Sequence, residues 1–86
     1  MAKVLIADDE ANIVVSLEFM MKREGYEVLV ARDGVAALAA IRGERPDLVL
    51  LDIWMPDTDG ITLLKEWAAN GQLTMPVVMM SGHGTI

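Results

Sequence analysis

Apolar runs punctuate the chain at intervals, and between them apolar positions recur at three- and four-residue steps. Val4-Leu5-Ile6-Ala7, Leu48-Val49-Leu50-Leu51 and Val77-Val78-Met79-Met80 are unbroken, as strands covered on both faces should be. They predict strands over Lys3 to Ala7, Leu48 to Asp52 and Val77 to Met80. Glu27-Val28-Leu29-Val30-Ala31 opens on a charge, which predicts a further strand at an edge of the sheet. In the first interval Ile13, Leu17, Met20 and Met21 form one helical stripe that stops near Gly25. In the second, Asp33 can cap a helix carrying Val35, Leu38 and Ile41, with Gly43 and Pro46 preventing its continuation. In the third, Asp59 or Thr58 can cap a helix with Ile61, Leu64 and Ala68 on one face, extended by Leu63 and Trp67. Asn70-Gly71 ends it, and Pro76 introduces the last strand.

Strands alternating with helices at this spacing imply a parallel sheet within one small domain, with no internal linker, repeat or low-complexity stretch. At 86 residues such a domain has little stability to spare. Seven basic against thirteen acidic residues give a net charge of −6, which argues against a general nucleic-acid surface. There is no cysteine, so no disulfide framework exists, and an undisulfided domain fits the cytosol. The apolar run before Asp8 is too short for a signal-peptide core or a membrane span, so a soluble, cytoplasmic protein is expected. Met20, Met21, Met79 and Met80 fall at positions expected in the core, where packing explains them better than a soft-metal site. His83 has no partner histidine or cysteine and is not expected to bind metal.

Two of the predicted strands end on carboxylates: the first runs into Asp8-Asp9 and the third closes on Asp52. The C-terminal edge of an open parallel sheet is where ligands bind. Three carboxylates gathered there repel one another; a unit-charge pair at about 4 Å costs about 1 kcal/mol in water and about 4 kcal/mol at an intermediate dielectric. A bound divalent cation offsets this, and all-oxygen ligands point to Mg2+ rather than zinc. The alternative for Asp8 and Asp9 is simple capping of the next helix. Asp52 is followed by Met55-Pro56-Asp57 and Asp59-Gly60, a tight loop expected to hold its carboxylate open to solvent. A carboxylate so placed beside a metal can act as a nucleophile and form an aspartyl phosphate. The last strand runs into Ser81-Gly82, whose hydroxyl could donate to a phosphoryl oxygen; the alternative is ordinary turn chemistry opening another helix.

Taken together, Asp8-Asp9-Glu10, Asp52-Ile53-Trp54-Met55-Pro56 and Met80-Ser81-Gly82 resemble the acidic pair, phosphoacceptor motif and switch hydroxyl of the CheY-like receiver domains of two-component response regulators. The resemblance covers the whole chain. It implies an α/β doubly wound parallel sheet of the flavodoxin and CheY type, with four strands in the order 2-1-3-4 and three full helices. It further implies that Asp52 accepts a phosphoryl group from a sensor histidine kinase, and that Ser81 binds that group and reports its presence. By the same carry-over Asp9, Asp52 and the backbone carbonyl of Trp54 ligate Mg2+, with Asp8 acting through a coordinated water. Such a domain is a phosphoacceptor that catalyses its own phosphorylation and dephosphorylation, not an enzyme in the ordinary sense. Trp54-Met55-Pro56 and the stretch from Ser81 to Ile86 look similar to receivers of the NtrC and NtrX type, whose output is transcriptional.

A complete receiver has five strand-helix units, so residues 1–86 are expected to be the N-terminal portion of a single receiver domain, truncated before the fifth strand. The lysine and the aromatic switch residue that the family carries further on are absent from this sequence. Val77 to Met80 would then form a bare edge, so the chain is expected either to be a piece of a longer regulator or to self-associate through this strand. Two rival functions follow. A metal-dependent phosphohydrolase would place a second aspartate two residues after the nucleophile, where this chain has Trp54. An interaction or dimerisation module would keep the fold but hold no phosphoryl group.

Overall fold

The computed structural model describes residues 2–52, 54–55, 58–69, 71 and 75–80, with the backbone alone for 54–55, 58–61, 63 and 64. Strands β1 (Lys3–Ala7), β2 (Glu27–Ala31), β3 (Leu48–Asp52) and β6 (Val77–Met80) form one parallel sheet in the order β2-β1-β3-β6. Numbered among themselves these four strands follow the 2-1-3-4 order, and the charged opening of β2 does place it at an edge. Between β3 and β6 lie β4 (Trp54–Met55) and β5 (Thr58–Asp59), a two-residue antiparallel ribbon that the sequence pattern did not indicate. Helices α1 (Ala11–Arg23), α2 (Gly34–Glu44) and α3 (Gly60–Ala69) fill the intervals.

The alternation of side chains along β1 and β3 divides the core into two layers. Val4, Ile6 and Leu50 face Val14 of α1, with Leu17, Met21 and Met80 packed around them. Leu5, Ala7, Val49 and Leu51 face the other way, onto Ala37 and Ile41 of α2 and Trp67 of α3. Each strand is therefore apolar on both sides, which is why its sequence reads as a continuous run.

Several expected core positions lie elsewhere. Met20 is 52% exposed, Val35 76% and Met79 44%. Successive helical residues point about 100° apart, so with Met21 and Val14 turned inward Met20 falls on the flank, and Val35 stands off the inward stripe of Gly34, Ala37 and Ile41. Ala68 is exposed for the same reason, beside a buried Trp67. Met79 sits on β6, which among the described residues pairs with β3 alone.

The helix ends follow local chemistry. After α1, Gly25 takes φ +92° and donates to the Lys22 carbonyl at 3.0 Å, while Tyr26 N donates to the Met21 carbonyl at 3.0 Å. This is a Schellman closure, which a left-handed glycine makes without steric cost. Asp33 caps α2 as expected, its Oδ1 accepting from Ala36 N at 2.7 Å. Gly43, expected to stop α2, lies within its last turn; Arg45 instead takes the left-handed conformation, φ 50°, immediately before Pro46. A proline disfavours right-handed helical geometry in the residue before it, which ends the helix there. At the far end of α3, Gly71 takes φ +70° and donates to the Ala68 carbonyl at 3.2 Å. Whether the Thr58 or Asp59 side chain caps α3 lies outside the described residues. No helix among those described is long and apolar enough to cross a membrane.

Candidate functional site

Strand register builds the site. Parallel pairing sets Val4 beside Leu48 and Ala7 beside Leu51, so one step further along both strands Asp8 comes level with Asp52. Asp8 N donates to the Ala31 carbonyl at 3.0 Å, continuing the β1–β2 ladder one position past the strand end. Asp9 follows on the same turn. One carboxylate oxygen from each of Asp8, Asp9 and Asp52 lies within 4.8 Å of the other two. The three residues expected to meet at this edge do meet.

Their surroundings differ from expectation in two respects. Asp52 is fully buried, not held open to solvent. It closes a strand flanked by β1 and β6, level with Met80 on its far side, which puts its carboxylate inside the fold. Neither Asp8 nor Asp9 caps α1. Glu10 does, its Oε1 accepting from Asn12 N at 3.4 Å, while Asp8 Oδ1 accepts from Glu10 N at 2.8 Å. Capping therefore does not account for the acidic pair.

Asp8 is fully buried, and its Oδ2 faces no hydrogen-bond donor. Burial raises its pKa above the ordinary carboxylate value, opposed by the Glu10 N–H and reinforced by the nearby Asp52 carboxylate and then by Asp9. A buried acceptor without a donor costs free energy that a cation or a proton removes. Three clustered carboxylates, one of them orphaned at Oδ2, fit a hard divalent cation, whose all-oxygen coordination leaves room for waters.

One further residue borders the site. Arg32, directly after β2, donates through Nη2 to the Asp9 backbone carbonyl at 2.8 Å. Sequence reading overlooked Arg32 and, although it named Glu10 in the acidic motif, missed its capping role; the available signal was a basic residue immediately after a strand and an acidic one immediately before a helix. Trp54 opens β4 two residues beyond Asp52 and pairs with Asp59. Ser81, Gly82 and His83 lie outside the described residues.

The family profile of the response regulator receiver domain matches residues 4–86. The chain belongs to the response regulator receiver domains. The alkaline phosphatase synthesis transcriptional regulatory protein PhoP of Bacillus subtilis (strain 168) is 39% identical over 79 residues, 92% of this receiver and 32% of that protein. The receiver thus spans about a third of the length of that curated relative. Among solved structures, the N-terminal domain of a response regulator receiver protein from Methanoculleus marisnigri JR1 superposes with a TM-score of 0.90 at 32% identity, covering 100% of this chain and 71% of that one. A chemotaxis response regulator of Vibrio cholerae gives a TM-score of 0.85 at 35% identity, over 92% of this chain and 67% of that one. The fold that the resemblance implied is the fold of these receivers.

Proposed function

We propose that this receiver accepts a phosphoryl group on Asp52 from the phosphohistidine of a sensor histidine kinase, in a reaction that uses Mg2+. The observation that carries the reading is the convergence of Asp8, Asp9 and Asp52 within 4.8 Å at one strand edge of a chain in this family. A carboxylate oxygen of Asp52 attacks phosphorus, the P–O bond forms as the P–N bond breaks, and the histidine ring leaves with the electron pair. Asp9, Asp52 and the Trp54 carbonyl would hold the cation, with Asp8 acting through a coordinated water, and Mg2+ when bound would supply neutralisation of the charge that builds up during transfer. Ser81 serves as the hydroxyl that binds the transferred group.

The output is transcriptional in this reading, supported by the likeness to PhoP, a transcriptional regulatory protein. The finer likeness to NtrC- and NtrX-type receivers rests on Trp54-Met55-Pro56 and on Ser81 to Ile86 alone. Intact-mass measurement after incubation with a small phosphodonor and Mg2+ tests the site. One phosphoryl adduct is expected, absent in Asp52→Asn and in a metal-free control. Equal labelling of the variant would remove Asp52 as the acceptor.

Self-association is a second reading, favoured by one observation: among the described residues β6 is an outer strand, whose Val78 and Met79 are 49% and 44% exposed. Pairing of this edge with another copy predicts concentration-dependent sedimentation that Met79→Lys suppresses, since a lysine blunts an edge strand. A monomer at all concentrations rules it out.

A further inference from the structure

The basic residues are distributed unevenly over the fold. Of the seven lysines and arginines, Lys3 opens β1, Lys22 and Arg23 close α1, and Arg42 and Arg45 lie at the end of α2. All five stand at the edge of the sheet remote from the carboxylates, because α1 and α2 run back to start β2 and β3. Lys65 is midway along α3. Arg32 alone follows directly on the C-terminal end of a strand, at the carboxylate edge.

Its bond is placed where the β1–β2 ladder runs out. The last backbone link is Asp8 N to the Ala31 carbonyl at 3.0 Å; at the next position Arg32 Nη2 returns a donor from β2's end to the Asp9 carbonyl, at 2.8 Å. The two links run in opposite directions and lock the turn that carries Asp8 and Asp9. Arg32 is itself anchored on both sides, by Ala31 in the ladder and by Asp33 capping α2. This exposed but charge-assisted bond from an anchored segment restrains the Asp9 peptide plane, and with it the backbone position from which its carboxylate projects.

We propose that Arg32 is a positioning and selectivity-determining residue for the cation site, acting through the Asp9 main chain. The inference rests on the cation-binding reading above. Mg2+ demands near-ideal octahedral geometry from a small site, whereas Ca2+ accepts longer and more variable oxygen ligands. A locked turn therefore favours Mg2+, and a loosened one loses Mg2+ more than Ca2+. If Arg32 acted only as a nearby positive charge, it would repel both divalent ions alike and its removal would tighten both.

Calorimetric titration of the chain with Mg2+ and with Ca2+ separates these cases. Arg32→Ala is expected to weaken Mg2+ binding about tenfold, the low end for residues that support a metal ligand, and Ca2+ binding by less than about threefold. Arg42→Ala removes the same charge from the far edge and should change neither. Arg32→Lys keeps the charge but loses the planar fork, and should lose Mg2+ affinity in the same direction by a smaller factor. Unchanged or tighter Mg2+ binding in Arg32→Ala, equal effects on both ions, or wild-type behaviour of Arg32→Lys would each overturn the proposal. Absence of Mg2+ binding in the unaltered chain would instead overturn the cation-site reading on which it rests.

Discussion

At Asp8 burial outweighs the hydrogen bond received from Glu10 N, and the neighbouring Asp52 and Asp9 charges add to it, so the folded carboxyl holds its proton to higher pH than an unfolded one. Between the ordinary and the raised pKa, folding therefore takes up a proton. The stability associated with Asp8 is fully present below the unfolded pKa and is lost as pH rises through the folded one. In the metal-free chain, Asp8→Asn should accordingly be more stable than the unaltered protein at about pH 7 and should lose that advantage near about pH 4. Denaturant titrations of both at the two pH values check this; an advantage that does not change with pH would show that ionisation of Asp8 is not its source. That Asp8, Asp9 and Asp52 would meet was legible in the sequence, because each closes or follows an apolar run. The burial of Asp52 was not, since it depends on flanking strands that come from distant parts of the chain.

Among the elements, the strands were the most legible, and their limits match the apolar runs because a doubly covered strand has no polar face to blur its ends. The helices were legible in position but not in rotation. A stripe read from Ile13, Leu17, Met20 and Met21 leaves the inward direction open, and packing on β1 and β3 turned Val14 inward and Met20 outward. Helix α2 carries a weakness in its own sequence. Gly43 sits in the last turn without a left-handed conformation, and a Cβ added there meets nothing within 4 Å. Gly43→Ala should therefore raise stability by about 0.5–1 kcal/mol, seen as a higher denaturation midpoint at unchanged denaturant slope. A loss of stability would mean that the glycine serves a contact or conformation other than the helical one described.

For the molecule as a whole, fold stability and the acidic site oppose each other, because the register that pairs β1 with β3 also brings like charges together. A cation that binds the folded chain but not the unfolded one reverses this. At a free concentration about a hundredfold above Kd the linkage is about 2.7 kcal/mol, which for a domain of this size raises Tm by more than about 10 °C. Thermal unfolding with Mg2+ and with chelator should show that difference, and Asp52→Asn should show a much smaller one. Equal Tm values with and without Mg2+ in the unaltered chain would remove the cation from the account. A two-layer core anchored by a buried Trp67 holds the sheet that fixes these distances, so the site's geometry and the fold's stability rest on the same packing.

The sequence by itself determined the strands, their parallel arrangement, the edge position of β2 and the gathering of three carboxylates at one edge. All of these follow from local periodicity and from where polar residues interrupt apolar runs. Tertiary structure alone decided that Asp52 is enclosed and that Arg32 reaches the Asp9 carbonyl. Each of those depends on which segments lie beside one another across a register, and on the burial and backbone angles this imposes, which no single stretch of sequence contains.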